Sequence, residues 1–228
     1  MLHEIKRIKV HSLKEFIKEF LMIVVGILTA LGLEHIAVSI HNKHAAEEGL
    51  QRVLAEQKAN LAYTEQFLQE AHRRWDPLNE VIAALDQDIS NKVAKDKINQ
   101  HLKAMLKSSG YNRGTPGFIL RQSSWELVIA NQSLSHMDAQ QASVLANQYS
   151  LNKMYMTGFN QGMQELYTDR ENDMYVELSY DLVEPMEAIK ILRSKRSTQS
   201  SMMAIATEVK AHIENTLQKA EAQGNGTH

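Results

Sequence analysis

The chain has 228 residues, with 25 Lys and Arg against 27 Asp and Glu, a formal net charge of -2, 43% hydrophobic residues and 23% charged ones. That balance is close to ordinary globular usage, so it excludes wholesale disorder and argues against a nucleic-acid partner, which normally meets a basic surface. The absence of cysteine excludes disulfides, thiolate metal sites and cysteine nucleophiles.

In chain order, residues 1–19 mix Leu2, Ile5, Leu13, Phe16 and Ile17 with Lys6, Arg7, Lys9, Lys14 and Lys18. That spacing predicts a short amphipathic segment on the inner leaflet. Phe20 to Leu33 carries no charge, and Ile36 to Ile40 continues the apolar run after Glu34 and His35. Together the two parts predict a transmembrane helix over 20–40, long enough for a hydrocarbon layer of roughly 30 Å. A buried core helix is one alternative. A signal peptide cleaved near Ala37-Val-Ser39 is another, and Glu4, Glu15 and Glu19 in the preceding segment favour an uncleaved anchor instead. The lysines before the span outnumber those just after it, which places the N-terminus in the cytoplasm and residues 41–222 outside it.

Leu54, Leu61, Leu68 and Trp75 recur every seventh residue, with Leu50, Gln57, Thr64, Ala71 and Leu78 beside them. This heptad predicts a stalk helix, broken at Asp76-Pro77. Either it pairs with a second copy or it packs on the chain's own helices. A second helix is predicted from Leu78 through Met105, ending at Ser108-Ser-Gly110. Gly110 to Gly117 then forms a loop, since its glycines and proline remove helix propensity. Ser123-Ser-Trp-Glu126 has capping-box spacing and opens a short helix, and Asp138-Ala-Gln-Gln141 opens another that runs to about Tyr167. Met174 to Val183 has some strand-like alternation but reads better as helix. Pro185 restarts the chain, a last helix carries Met202 through Ala220, and residues 223–228 form a tail. The expected architecture is all-α: a transmembrane helix continuing into a stalk and an antiparallel helical bundle.

Few residues suggest chemistry. His41, His44 and Glu48 share one helix face and form a weak metal-ligand candidate, although solvated polar residues are common at a membrane exit. No cofactor and no catalytic residue is expected. Trp125, Tyr149 and Phe159 are candidates to line a ligand pocket between helices. Gly26 and Ala30 have the small-residue spacing that lets two spans approach, so with Leu54, Leu61 and Leu68 they are candidates for a homodimer interface.

Two segments, Glu15 to Leu33 and Ser124 to Asp138, resemble an uncharacterised family of bacterial single-pass membrane proteins. In that family a span rich in phenylalanine, valine and isoleucine precedes a helical extracytoplasmic region. Leu33-Glu-His35 stands where the family commonly has asparagine-tryptophan-asparagine. The resemblance covers under half the chain and implies a bacterial inner-membrane location, without an activity. The reading is of a non-enzymatic protein whose partners are the lipid bilayer and an unidentified envelope protein, with a ligand-sensing bundle as the alternative.

Overall fold

The computed structural model is all-α among the described residues, which are 13–111, 114, 116–166 and 169–224. Residues 1–12 of the expected amphipathic segment and 225–228 of the tail lie outside them, as do Asn112, Arg113, Thr115, Tyr167 and Thr168. The chain forms α1 (Leu13–Trp75), α2 (Pro77–Ser90), α3 (Lys95–Ser108), α4 (Ser123–Ala130), a 3-10 turn (Ser133–His136), α5 (Ala139–Leu166), α6 (Asp169–Ser179) and α7 (Pro185–Gly224).

α1 spans 63 residues, roughly 95 Å at helical rise. One stretch near its N-terminus is long and apolar enough to cross a membrane, with mean hydropathy 2.1 and no residue of that window buried. Phe20, Ile23, Leu28, Leu31, Ile36 and Ile40 are all exposed. Within the stretch the Thr29 hydroxyl donates to the Val25 carbonyl at 2.8 Å, so that polar group is satisfied by its own helix.

Pro77 does not turn the chain, as the sequence suggested it would. Asp76 keeps right-handed helical angles, its N–H reaches the His72 carbonyl, and proline takes the N1 place where no donor is needed. α2 therefore prolongs α1. The reversal comes after Ser90, inside what reads in sequence as one helix. Lys92 adopts φ +55°, and the N–H groups of Val93 and Lys92 close on the Asp88 and Ile89 carbonyls. This is a Schellman end without glycine. α3 then folds back so that Ile98 and Leu102 meet Leu78, Val81 and Leu85.

From α3 the chain descends along α1 in an extended segment. Buried Phe118 and Leu120 alternate with exposed Ile119, a period of two without a partner strand. α4 continues towards the apolar end of α1. α5 returns upward, beginning at Asp138, whose carboxylate accepts from the N–H groups of Gln140 and Gln141 as the sequence predicts. α6 continues upward, and α7 runs the full length back, antiparallel to α1, α2 and α5.

The interior is stacked in three storeys. Val53, Val128, Leu145 and Tyr149 form the lowest. The middle one centres on Phe67, Phe118 and Phe159, whose ring centroids lie 4.7, 4.8 and 5.3 Å apart, with Trp75, Met202 and Ile213 around them. α2, α3, α6 and the start of α7 build the uppermost around Leu78, Leu102, Leu178 and Leu192. Leu54, Leu61 and Leu68 pack at the margin of the middle storey, while Gln57, Thr64 and Ala71 of the companion stripe lie deepest. The heptad stripe thus packs on the chain's own helices.

Phe159→Ala should lower unfolding free energy by about 3–5 kcal/mol, the usual cost of deleting a buried aromatic ring. Ile119→Ala, at a side chain that is 72% exposed, should change it by less than ~0.5 kcal/mol. Denaturant unfolding of the detergent-solubilised protein, followed by circular dichroism, measures both.

Candidate functional site

Several polar groups are buried within the bundle. Glu56 is 7% exposed on the inward stripe of α1. Its Oε2 accepts from the Ser124 N–H at 2.8 Å and the Ser123 hydroxyl at 3.0 Å, and its Oε1 accepts from the Tyr149 hydroxyl at 2.5 Å. The carboxylate thereby caps α4 from another helix, in place of the capping box within Ser123–Glu126 that the spacing suggested. A negative charge suits this position, because the first N–H groups of a helix have no internal partner. Burial, then the bond to Glu56, push the Tyr149 hydroxyl well above its ordinary value, and the Gln57 amide opposes them.

Trp125 stacks on Tyr149 with centroids 4.8 Å apart and planes 8° from parallel. Phe159 belongs to the separate middle storey with Phe67 and Phe118. The three aromatics expected to line one pocket therefore do not converge. Trp125 and Tyr149 fill the space between themselves, and Phe159 is enclosed by rings.

Nor do His41, His44 and Glu48 form a ligand set. All three are exposed on α1; His44 faces Glu47 at 3.7 Å, and Glu48 is held by Arg52 at 3.4 Å. Among the described residues no group of three or more such side chains is placed to hold a metal ion. One helix supplies all three side chains, and the ion pairs to Glu47 and Arg52 engage two of them elsewhere. Gly26 and Ala30 lie on the exposed apolar stretch, with open space around Gly26.

Sequence reasoning missed a buried ion pair. Lys195 of α7 and Glu171 of α6 bond directly, each side chain only 4% exposed, below a cleft of about 210 Å³ that Arg170, Lys190 and Glu165 also border. The signal was present: Lys195 continues the stripe Ala188, Leu192, Gln199, Met202 at helical spacing. Such a pair sets register more than it adds stability, since desolvation offsets most of its attraction.

The surface that stands out is the end of the bundle farthest from the apolar stretch. There α6 stops in a second Schellman end: Asp181 takes φ +59°, and the Leu182 and Asp181 N–H groups close on the Glu177 and Leu178 carbonyls. α3 holds this turn. Asn99 donates to the Asp181 carbonyl at 2.8 Å, and Lys103 reaches the Asp181 carboxylate at 2.9 Å and the Ser179 carbonyl at 3.2 Å. On the fixed turn and its flanks, Val176, Tyr180, Leu182 and Met186 are exposed, Tyr180 at 72% and Leu182 at 61%. Beside them an open groove of about 450 Å³ between α3 and α6 is lined by Leu106, Tyr175 and Leu178, with Lys103 and Lys107 at its rim.

No family model, curated protein or solved structure matches the chain. The geometry alone therefore describes the candidate site, an apolar tip beside an open groove on a long helical body.

Tyr149→Phe should cost about 1–3 kcal/mol, because it leaves a buried carboxylate oxygen without its donor. The raised hydroxyl implies a sign for alkaline pH. Its contribution is complete below the ordinary value of 10.0 and is lost as pH rises through the higher folded value. Thermal melts from neutral to strongly alkaline pH should show the parent losing stability more steeply than Tyr149→Phe.

Proposed function

We propose that the chain is a single-pass membrane protein, with its N-terminus in the cytoplasm, whose helical bundle presents a docking tip to another envelope protein. The observation that carries this reading is the exposure of four large apolar residues, Tyr180 and Leu182 on a turn held by Asn99 and Lys103 and Val176 and Met186 on the helices beside it. Leaving such side chains in water is unfavourable, and a contiguous patch of them is the usual mark of a contact surface. The groove beside it supplies depth for an anchor side chain, and Lys107 suits an acidic group on the partner, Lys103 being paired with Asp181.

The membrane assignment rests on the exposed apolar stretch Phe20 to Ile40 and on the excess of lysines before it. Resemblance of Glu15 to Leu33 and Ser124 to Asp138 to the bacterial membrane family supports an inner-membrane location. Because Leu54, Leu61 and Leu68 are taken up by the chain itself, Gly26 and Ala30 are what remain for a lateral contact between two spans. From Ile40 to Ser90 the helix rises roughly 75 Å, so the tip is carried far from the bilayer.

A photo-reactive residue placed at Tyr180 or Leu182 in native membranes should give a discrete cross-linked species, absent when it replaces the exposed Asn160. Adducts lost on Val176→Glu would support the tip as the docking surface. Equal labelling from all three positions, or none, would overturn it. For orientation, a periplasm-active reporter fused after His228 should be active; a silent one, with an active cytoplasmic reporter in the same place, would reverse the topology.

A further inference from the structure

Two ionisable side chains lie inside the apolar stretch of α1. Glu34 and His35 are exposed there, and among the described residues no hydrogen bond or ion pair reaches them. With Phe20 to Ile40 across the bilayer, Glu34 stands six residues before the end of the stretch, roughly 9 Å inside the hydrocarbon. Sliding the helix does not remove the cost. A layer of roughly 30 Å that ends at Leu33 begins near Lys14, so it would draw in Lys18 and Glu19 instead. Snorkelling is also opposed: each Cα–Cβ bond tilts towards the helix N-terminus, which from position 34 is towards the middle of the span. A carboxylate held there is costly, and ionisable groups at such depths pair with other protein groups.

The rest of the face is small. Gly26, Ala30 and Glu34 follow one another every four residues, the row along which two helices interlock when small side chains let them approach. Ile27, Leu31 and His35 form the next row, and a Cβ on Gly26 would meet nothing within 4 Å. The direction of this face decides what can meet it. At about 100° per residue, Gly26, Ala30 and Glu34 share the phase of exposed Ala55, Ala59, Ala62 and Gln66, and they lie about 150° from buried Val53, Gln57, Asn60 and Thr64. The bundle therefore occupies the far side of α1 and leaves the row open. Among the described residues only this helix is long and apolar enough to cross a membrane, so a second copy is the partner that brings matching groups to the same depth.

We propose that α1 pairs in the bilayer with α1 of a second copy, the carboxyl of Glu34 in each copy hydrogen-bonded to the His35 ring of the other. The inference rests on the anchor reading above and deepens it. All copies insert in one orientation, so a two-fold parallel pair sets the two groups at one height, where the imidazole N–H donates and the carboxyl accepts. The ionisable groups that no part of their own chain satisfies then satisfy each other. The two bundles stand on opposite sides of the paired helices and do not collide.

The chain contains no cysteine, so an introduced thiol is unique on the full-length protein. In phosphatidylcholine vesicles, oxidation of Gly26→Cys or Ala30→Cys should give a disulfide-linked pair, whereas Leu28→Cys and Gly32→Cys, on the opposite face, should stay single. Energy transfer between donor-labelled and acceptor-labelled Lys43→Cys, followed against the protein-to-lipid ratio, measures affinity. Glu34→Leu and His35→Leu should each weaken pairing about 3–20-fold, the range of a hydrogen bond between membrane helices, and Glu34→Gln should keep most of the parent affinity. Unchanged or tighter pairing of Glu34→Leu would overturn the proposal, as would equal cross-linking at all four positions or no energy transfer. A fluorophore on Leu28→Cys, read against a nitroxide deep in the acyl chains, checks the anchor separately. Quenching there with no pairing would overturn the proposal and leave the anchor standing; an unquenched Leu28 label would overturn both.

Discussion

A stretch of chain with neither helix nor strand must descend from the end of α3 to the base of the bundle, and its backbone polar groups need partners on the way. That requirement organises the fold, because peptide groups buried without hydrogen bonds cost several kcal/mol by transfer estimates. α1 meets it with side chains. Asn60 exchanges two bonds with the backbone of Arg121, donating to its carbonyl at 3.0 Å and accepting from its N–H at 2.9 Å, as a neighbouring strand would. Tyr63 donates to the Gly117 carbonyl at 2.7 Å, and Glu56 receives the first N–H groups of α4. These three contacts lie on successive turns of one helix. They deliver α4 to the base, and α5 can then rise from there.

The same polar residues explain why the inward stripe of α1 is not a dimer seam. Gln57, Asn60 and Thr64 would weaken a two-stranded coiled coil, where apolar knobs dominate. Inside the bundle Gln57 lies by Tyr149, Asn60 bonds the extended segment, and the Thr64 hydroxyl donates to the Asn60 carbonyl; α5 and α7 add a polar layer of their own. There Thr216 donates to Gln148, and Gln148 donates to Asn152, both at 2.8 Å. A polar layer between two apolar storeys constrains sliding of α5 along α7, because any shift strands buried donors. The Glu171–Lys195 pair does the same one storey higher. Register is thus fixed at several heights along a body only a few helices thick.

Large apolar side chains are exposed at both ends of the bundle. Near the base, Leu127 and Ile129 lie on either side of buried Val128; at the tip, Tyr180 and Leu182 stand on a turn that α3 grips through Asn99 and Lys103. Both corners depend on residues forced into left-handed backbone, Gln132 at one end and Lys92 and Asp181 at the other. None of them is glycine. Each accepts some local strain, which the surrounding hydrogen bonds and packing must hold in place.

Periodicity alone determined a good deal. The uninterrupted run from Phe20 identified the stretch that, among the described residues, is long and apolar enough to cross a membrane, and helical spacing of apolar residues pointed to an all-α fold, because these patterns reflect which face a helix hides whatever it is hidden against. Asp138 could be recognised as a cap, since its bonds are local. What depended on distant chain could not be read. The sequence suggested a break at Asp76-Pro77, whereas α2 prolongs α1 and α7 packs along both. Lys92 carried no glycine signal, so the reversal between α2 and α3 was invisible in the sequence, whereas Pro185 marked the restart that follows Asp181. Trp125, Tyr149 and Phe159 were equally suitable for a pocket. Tertiary structure alone separated them into a stacked pair and a ring cluster, because nothing in sequence spacing says which aromatic faces meet across helices.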